Sequence, residues 1–194
     1  MSNISRRDFL KTAGVMTLAV AAAGVLAGCN TTSVPAPEAN KPEVTTNSVS
    51  YTGYFGDKLT IESVGRYNVY NNRDKKELKH SQTVLKVTYT KPDYSTSPSI
   101  MGVEVISENG GKEIPNATNM AAKVKDKTGI SINDIVDDFN DVLNAKGTKT
   151  EKYVVLNVNG IKTNNLQVCV AYLDEKGEAK SLIMPLSVTA SDLF

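Results

Sequence analysis

Leu166-Gln167-Val168-Cys169-Val170-Ala171-Tyr172-Leu173 is followed by Asp174-Glu175-Lys176-Gly177 and then by residues 179–186, AKSLIMPL. Leu166, Val168, Val170 and Tyr172 fall at every second position, the period that puts them on one face of a β-strand. The polar Asp-Glu-Lys-Gly cluster predicts a tight turn, so the whole stretch predicts a hairpin. Pro185 lacks an amide hydrogen, which predicts an edge strand or a bulge for the second arm.

The same alternation recurs outward from this hairpin. Leu85, Val87 and Tyr89 alternate with Lys86 and Thr88; Met101, Val103 and Val105 do so in MGVEVI; Val154, Leu156 and Val158 do so in YVVLNV. Leu59, Ile61 and Val64 begin an apolar series after residue 51. Turns are predicted at Asn109-Gly110-Gly111 and Asn159-Gly160, and a loop with two prolines at residues 91–99. One segment has a different period. Ile132, Ile135, Val136, Phe139, Val142 and Leu143 make a single helical stripe, with Ser131 as N-cap and Gly147 after the last turn. A second, short helix is expected at residues 119–127.

These elements predict a mainly β domain over residues 51–194, built of antiparallel strands with one inserted amphipathic helix. Two arrangements fit: an immunoglobulin-like sandwich, or an α+β sheet with one docked helix. Residues 56–61, GDKLTI, residues 84–89 and the ENGGKEI turn of residues 108–114 resemble the telokin-like, immunoglobulin-like domains of small bacterial lipoproteins. That resemblance implies the sandwich.

Residues 30–50, NTTSVPAPEANKPEVTTNSVS, carry three prolines and no apolar periodicity. With Cys29 they read as a tether, residues 29–50, with a span on the order of 25 Å as a flexible coil. A rival reading makes an edge strand of residues 44–49.

The first 28 residues have three parts: a polar start, an Ala- and Gly-rich apolar stretch, and Leu26-Ala27-Gly28-Cys29. The apolar stretch is too short and too mild to span a bilayer, which takes about 20 apolar residues. A core helix is an equally poor reading, because the stretch has no polar face. Ser5-Arg6-Arg7-Asp8-Phe9-Leu10-Lys11 resembles the complete twin-arginine export motif, and Leu26–Cys29 resembles the lipobox of bacterial lipoproteins. The resemblance implies that Arg6 and Arg7, with Phe9 and Leu10, are read by the export receptor. It also implies that the Cys29 sulfur takes a diacylglyceryl group and that cleavage falls between Gly28 and Cys29. The expected address is therefore the outer face of a cell-envelope membrane, held by lipid.

Composition narrows the function. Removing residues 1–28 leaves 166 of the 194. Of 22 basic and 21 acidic side chains, Arg6, Arg7, Lys11 and Asp8 lie in the signal, so the remainder has a net charge near −1. That balance gives no electrostatic footprint for nucleic acid. With Cys29 lipidated, Cys169 has no partner for a disulfide and is expected to be buried.

No Cys-x-x-Cys, paired histidines, haem-attachment motif or glycine-rich dinucleotide loop is present, so neither a cofactor nor a metal is expected. No G-x-S-x-G, S-x-x-K or H-E-x-x-H points to catalytic residues. Asp134, Asp137, Asp138 and Asp141 would share a helix face; a solvated face is preferred over a cation site. His80, expected in a charged loop at residues 71–82 with Lys75, Lys76 and Lys79, reads as surface. Tyr51, Tyr54, Tyr67 and Tyr70 read mainly as sheet packing, with a tyrosine-lined binding surface as the rival.

The leading expectation is a non-enzymatic envelope module with a protein or polymer partner. A small hydrolase or an accessory subunit of an exported enzyme complex comes second, and a structural spacer or inhibitor third.

Overall fold

The computed structural model describes residues 42–75, 77–92, 98–107, 112–115, 120–158 and 164–194. The export motif, the lipobox, Cys29, and the predicted turns at residues 109–111 and 159–160 lie outside them.

Eleven strands occur among the described residues: β1 (Glu43–Val44), β2 (Ser48–Thr52), β3 (Lys58–Tyr70), β4 (Leu78–Thr90), β5 (Ile100–Ser107), β6 (Lys112–Pro115), β7 (Ile135–Val136), β8 (Lys149–Val158), β9 (Asn165–Leu173), β10 (Ala179–Ser187) and β11 (Ala190–Leu193). Two short helices accompany them, α1 (Ala122–Thr128) and α2 (Phe139–Asn144). One ladder runs β1-β2-β3-β4-β8, and β11 lies parallel to the second half of β3. The other runs β6-β5-β9-β10. β6 joins them, pairing Glu113 with Val105 of β5 and Ile114 with Asn157 of β8. The fold is thus mainly β, and the ladders do not close into a barrel.

The period-two runs meet in one core. Leu59, Ile61, Leu85, Val87, Tyr89, Val154 and Leu156 from the first ladder pack on Val103, Val105, Leu166, Val168, Val170, Met184 and Leu186 from the second. The predicted hairpin at residues 166–186 is present, with Ala179 opposite Leu173 across the turn. Pro185 is exposed on β10, the terminal strand of its ladder, where a missing amide hydrogen costs no ladder bond.

β3 does not keep its period. Its register slips between Ser63 and Gly65, a bulge that leaves Val64 39% exposed. Gly65 has φ +155, a backbone state that side-chain-bearing residues rarely adopt. The extra residue exchanges the two faces. Leu59 and Ile61 point into the shared core, whereas Tyr67 and Val69 point outward, into a second cluster with Val84, Val155, and Val124 of α1. Arg66 is consequently turned inward.

Several expectations are corrected. The domain begins before Tyr51: β1 and β2 occupy part of the stretch read as tether, and Val49 and Tyr51 are buried. Ser48–Thr52 pairs with Lys58–Glu62, so polar composition there hid a paired strand. The predicted helix over residues 132–143 is three elements. A 3-10 turn, Ile132–Asp134, is capped by Ser131; then β7 pairs parallel with Tyr153 and Val154; then α2 begins. Asp138 restarts the helix because its carboxylate accepts the amides of Asn140 and Asp141, and Asp141 answers with a bond to the Asp138 amide. Phe139, Val142 and Leu143 of α2 fill the shared core, while Ile132 is 65% exposed. Ala145 ends α2, so Gly147 is not its C′ residue. The short helix predicted at residues 119–127 is present as α1 and covers the outer cluster. His80 is not in a loop but on β4, opposite Val69 and exposed.

Candidate functional site

The residues singled out in the sequence do not converge. Asp134 lies in the 3-10 turn and faces Lys152 at 3.3 Å, whereas Asp138 and Asp141 serve the α2 cap and the Asp137 amide also donates to Asp141, so the four do not share one helix face. Tyr51 is buried, its ring 5.1 Å from that of Tyr172; Tyr67 belongs to the outer cluster; Tyr70 is buried beneath Phe194; Tyr54 is exposed. The four tyrosines therefore form no common surface. Burial holds the Tyr51 and Tyr67 hydroxyls above their ordinary titration range.

Cys169 is half-buried on the outer face of β9, between Glu104 and Ile183 of the flanking strands. Burial and then the Glu104 carboxylate push its thiol pKa up, the opposite of what a reactive thiolate needs. Among the described residues no group of three His, Cys, Asp or Glu side chains is placed to hold a metal ion, and no helix is long and apolar enough to cross a membrane.

Two polar centres that the sequence did not announce are deeply buried. Asp57 is fully buried between the ladders. Its carboxylate accepts the Ser99 hydroxyl at 2.6 Å, the Ile100 amide at 2.7 Å and the Tyr89 hydroxyl at 3.2 Å. Gly53 makes room for this: a Cβ there would lie 1.9 Å from Ser99 Oγ and 2.4 Å from Asp57 Oδ1. Arg66 and Glu113 are the other centre, both side chains wholly excluded from solvent. Arg66 Nη2 is 3.6 Å from Glu113 Oε1, and Arg66 Nε donates to Thr83 Oγ1 at 2.8 Å. Desolvation lowers the guanidinium pKa and the Glu113 charge opposes that shift. Both centres join elements of different ladders, so their evident work is to align the two.

The surface carries two further features. At one end, Tyr54 and Phe55 project from the β2–β3 turn, 41% and 36% exposed, with ring centroids 5.2 Å apart edge to face. At the other, Phe194 stacks on Tyr70 at 6.0 Å and the Lys75 ammonium sits 5.7 Å above the Phe194 ring.

Asp192 and Asp174 make acid stability predictable. The Lys75 ammonium, 2.5 Å away, and then the Asn68 amide hold the Asp192 carboxyl below its ordinary range. The backbone amide of Glu178 does the same for Asp174, with those of Lys176 and the Lys180 charge adding to it. A folded pKa below the unfolded value contributes stability that is present above the unfolded carboxylate value, about 3.9, and lost as pH falls through the folded one. The melting temperature should therefore decline from about pH 5 toward pH 3, and less steeply in Asp174→Asn. Parallel declines in parent and variant would remove Asp174 from the account.

The chain matches no protein-family model, and no curated protein matches it significantly. Among solved structures it is similar to a candidate lipoprotein from Staphylococcus aureus subsp. aureus NCTC 8325, at 14% identity and a TM-score of 0.35, over 79% of this chain and 99% of that one. At that level the likeness carries no argument about role.

Proposed function

We propose that this chain is a lipid-anchored envelope protein, exported by the twin-arginine route and held through Cys29, whose β domain binds another envelope component and catalyses no reaction. One observation carries the reading: a complete S-R-R-x-F-L-K motif followed, at signal-peptide spacing, by Leu26-Ala27-Gly28-Cys29. One acyl chain alone gives only marginal anchoring, and the two of a diacylglyceryl group make it durable. The non-enzymatic reading is supported by buried polar groups that are engaged in aligning the ladders and by a thiol shifted away from reactivity. Two open ladders around one core also favour the immunoglobulin-like kind of sandwich over an α+β sheet.

Replacing Cys29 by Ala should move the protein from the membrane fraction to the soluble one. Retention in the membrane would refute lipid anchoring. Replacing Arg6 and Arg7 together by Lys should leave unprocessed precursor in the cytoplasm; normal processing would mean that the general secretory route suffices. The binding reading is tested by crosslinking in the intact envelope. A defined protein or polymer adduct is expected. Substrate turnover by the purified protein, with no adduct, would favour the hydrolase alternative.

A further inference from the structure

From the place where the tether joins the domain, we infer that the β2–β3 turn is a second membrane contact. Tyr54 and Phe55 would dip into the bilayer to which Cys29 is attached. The inference rests on the lipid-anchor reading above.

The register fixes where the tether arrives. Glu43 pairs with Ser50, so the chain enters the ladder within two residues of Thr52, where β2 ends and the turn begins. The Glu43 carboxylate is 4.0 Å from the ammonium of Lys58, the first residue after the turn. Twelve residues, 30–41, separate Cys29 from Pro42. Fully extended they reach at most about 45 Å, and as the flexible coil expected from the sequence only about 20 Å. The tether thus holds the Tyr54 end of the domain near the bilayer. The Phe194 end lies beyond the far end of β3, roughly 40 Å away along that strand.

The turn suits such a contact. Its base is fastened: the Gly53 amide donates to the Asp57 carbonyl at 2.7 Å, the Gly56 amide to the Gly53 carbonyl at 3.0 Å, and the Asp57 side chain is locked between the ladders. The two rings are therefore presented with little conformational freedom left to lose. Two rings fall far short of the roughly 800 Å² per partner of a stable protein contact. They match the headgroup level of a bilayer, where a tyrosine keeps its hydroxyl wet and its ring buried. Charge gives no strong pull, because Lys58 is paired with Glu43 and Lys180 with Asp174 and Glu178, which leaves only a small basic excess from Lys91, Lys146 and Lys149. Apolar insertion is then the driving interaction, and zwitterionic lipid should suffice.

The chain contains no Trp, so one indole can report alone. The lipidated full chain carrying Phe55→Trp is reconstituted in phosphatidylcholine vesicles, with Phe194→Trp as the far-end control and Tyr54→Trp as a second turn variant should the first misfold. The indole at the turn should shift its emission to the blue on vesicles and be quenched by brominated lipid. The indole at position 194 should keep its aqueous emission and stay open to iodide. Aqueous emission at the turn in vesicle-bound protein would overturn the inference and leave the lipid anchor intact. Equal burial at both positions would mean that the domain lies flat, and would overturn it too. Protein that does not float with the vesicles at all would instead refute the anchor.

Discussion

Replacing Glu113 by Ala should lower the unfolding free energy by about 3–5 kcal/mol, the usual cost of stranding one charge of a buried pair. Arg66 has been brought fully inside by the β3 bulge and faces Glu113 across the joint between the ladders. Without Glu113 the guanidinium keeps its bond to Thr83 but loses the carboxylate that offsets its desolvation. The loss is a large share of the about 5–15 kcal/mol that holds a typical domain together. A double replacement, Arg66→Met with Glu113→Leu, should recover most of it, since an apolar pair of similar volume has no charge to desolvate. Urea unfolding of the three chains decides the matter. If the single replacement costs under about 1 kcal/mol, water reaches Arg66 in solution and the pair is not buried.

Asp57→Ala should cost a comparable amount, about 3–5 kcal/mol, for a different reason. Here no charge is stranded. Instead the Ser99 hydroxyl, the Ile100 amide and the Tyr89 hydroxyl lose a shared acceptor inside the protein. Asp57→Asn keeps one acceptor oxygen and should lose less. Gly53→Ala should approach the alanine variant at position 57, because its added methyl would displace Ser99 Oγ and the Asp57 carboxylate. Thermal melts of the set order these effects. An Asp57→Ala chain that melts with the parent would show that the three donors find other partners.

Strands were legible where one face stayed buried along their whole length. Leu85, Val87 and Tyr89 of β4, Val154 and Leu156 of β8, and Leu166, Val168 and Val170 of β9 keep period two into the core, as do Val103 and Val105 of β5, where a bulge puts Ile100 rather than Met101 inside. β3 hid its second half because the bulge moves the buried face from Ile61 to Tyr67, leaving no single alternation to read. β1 and β2, seen only in the rival edge-strand reading of residues 44–49, hid behind Thr, Ser and Asn, since β1 is a two-residue exposed edge and β2 offers only Val49 and Tyr51 as apolar core residues. The helical stripe of residues 132–143 was real as a spacing, yet the same spacing is met by a 3-10 turn, a short strand and a capped helix in series. The capping box of Asp138 and Asp141 was the local signal that could have divided it.

The polar centres were the least legible. Arg66 and Glu113 meet only because β6 crosses between the ladders, a long-range pairing that no local pattern encodes. Asp57 followed by an alternating strand reads as an ordinary turn residue, and its burial depends on Ser99 and Tyr89 arriving from elsewhere.

β11 lies parallel along Arg66–Val69, and Asp192 reaches Asn68 across 124 positions of sequence. The edge of β3 at Arg66–Val69 therefore waits for residues 190–193 before it is covered. Residues 190–193 are made long after β3, so this ladder stays incomplete while the intervening chain is synthesised. Closing so long a loop also makes the last step slow, because chain entropy is spent before the contact returns it. Assembly of the native sheet is then a late event in folding. On the export reading proposed above, a route that carries folded domains would give that late step time in the cytoplasm.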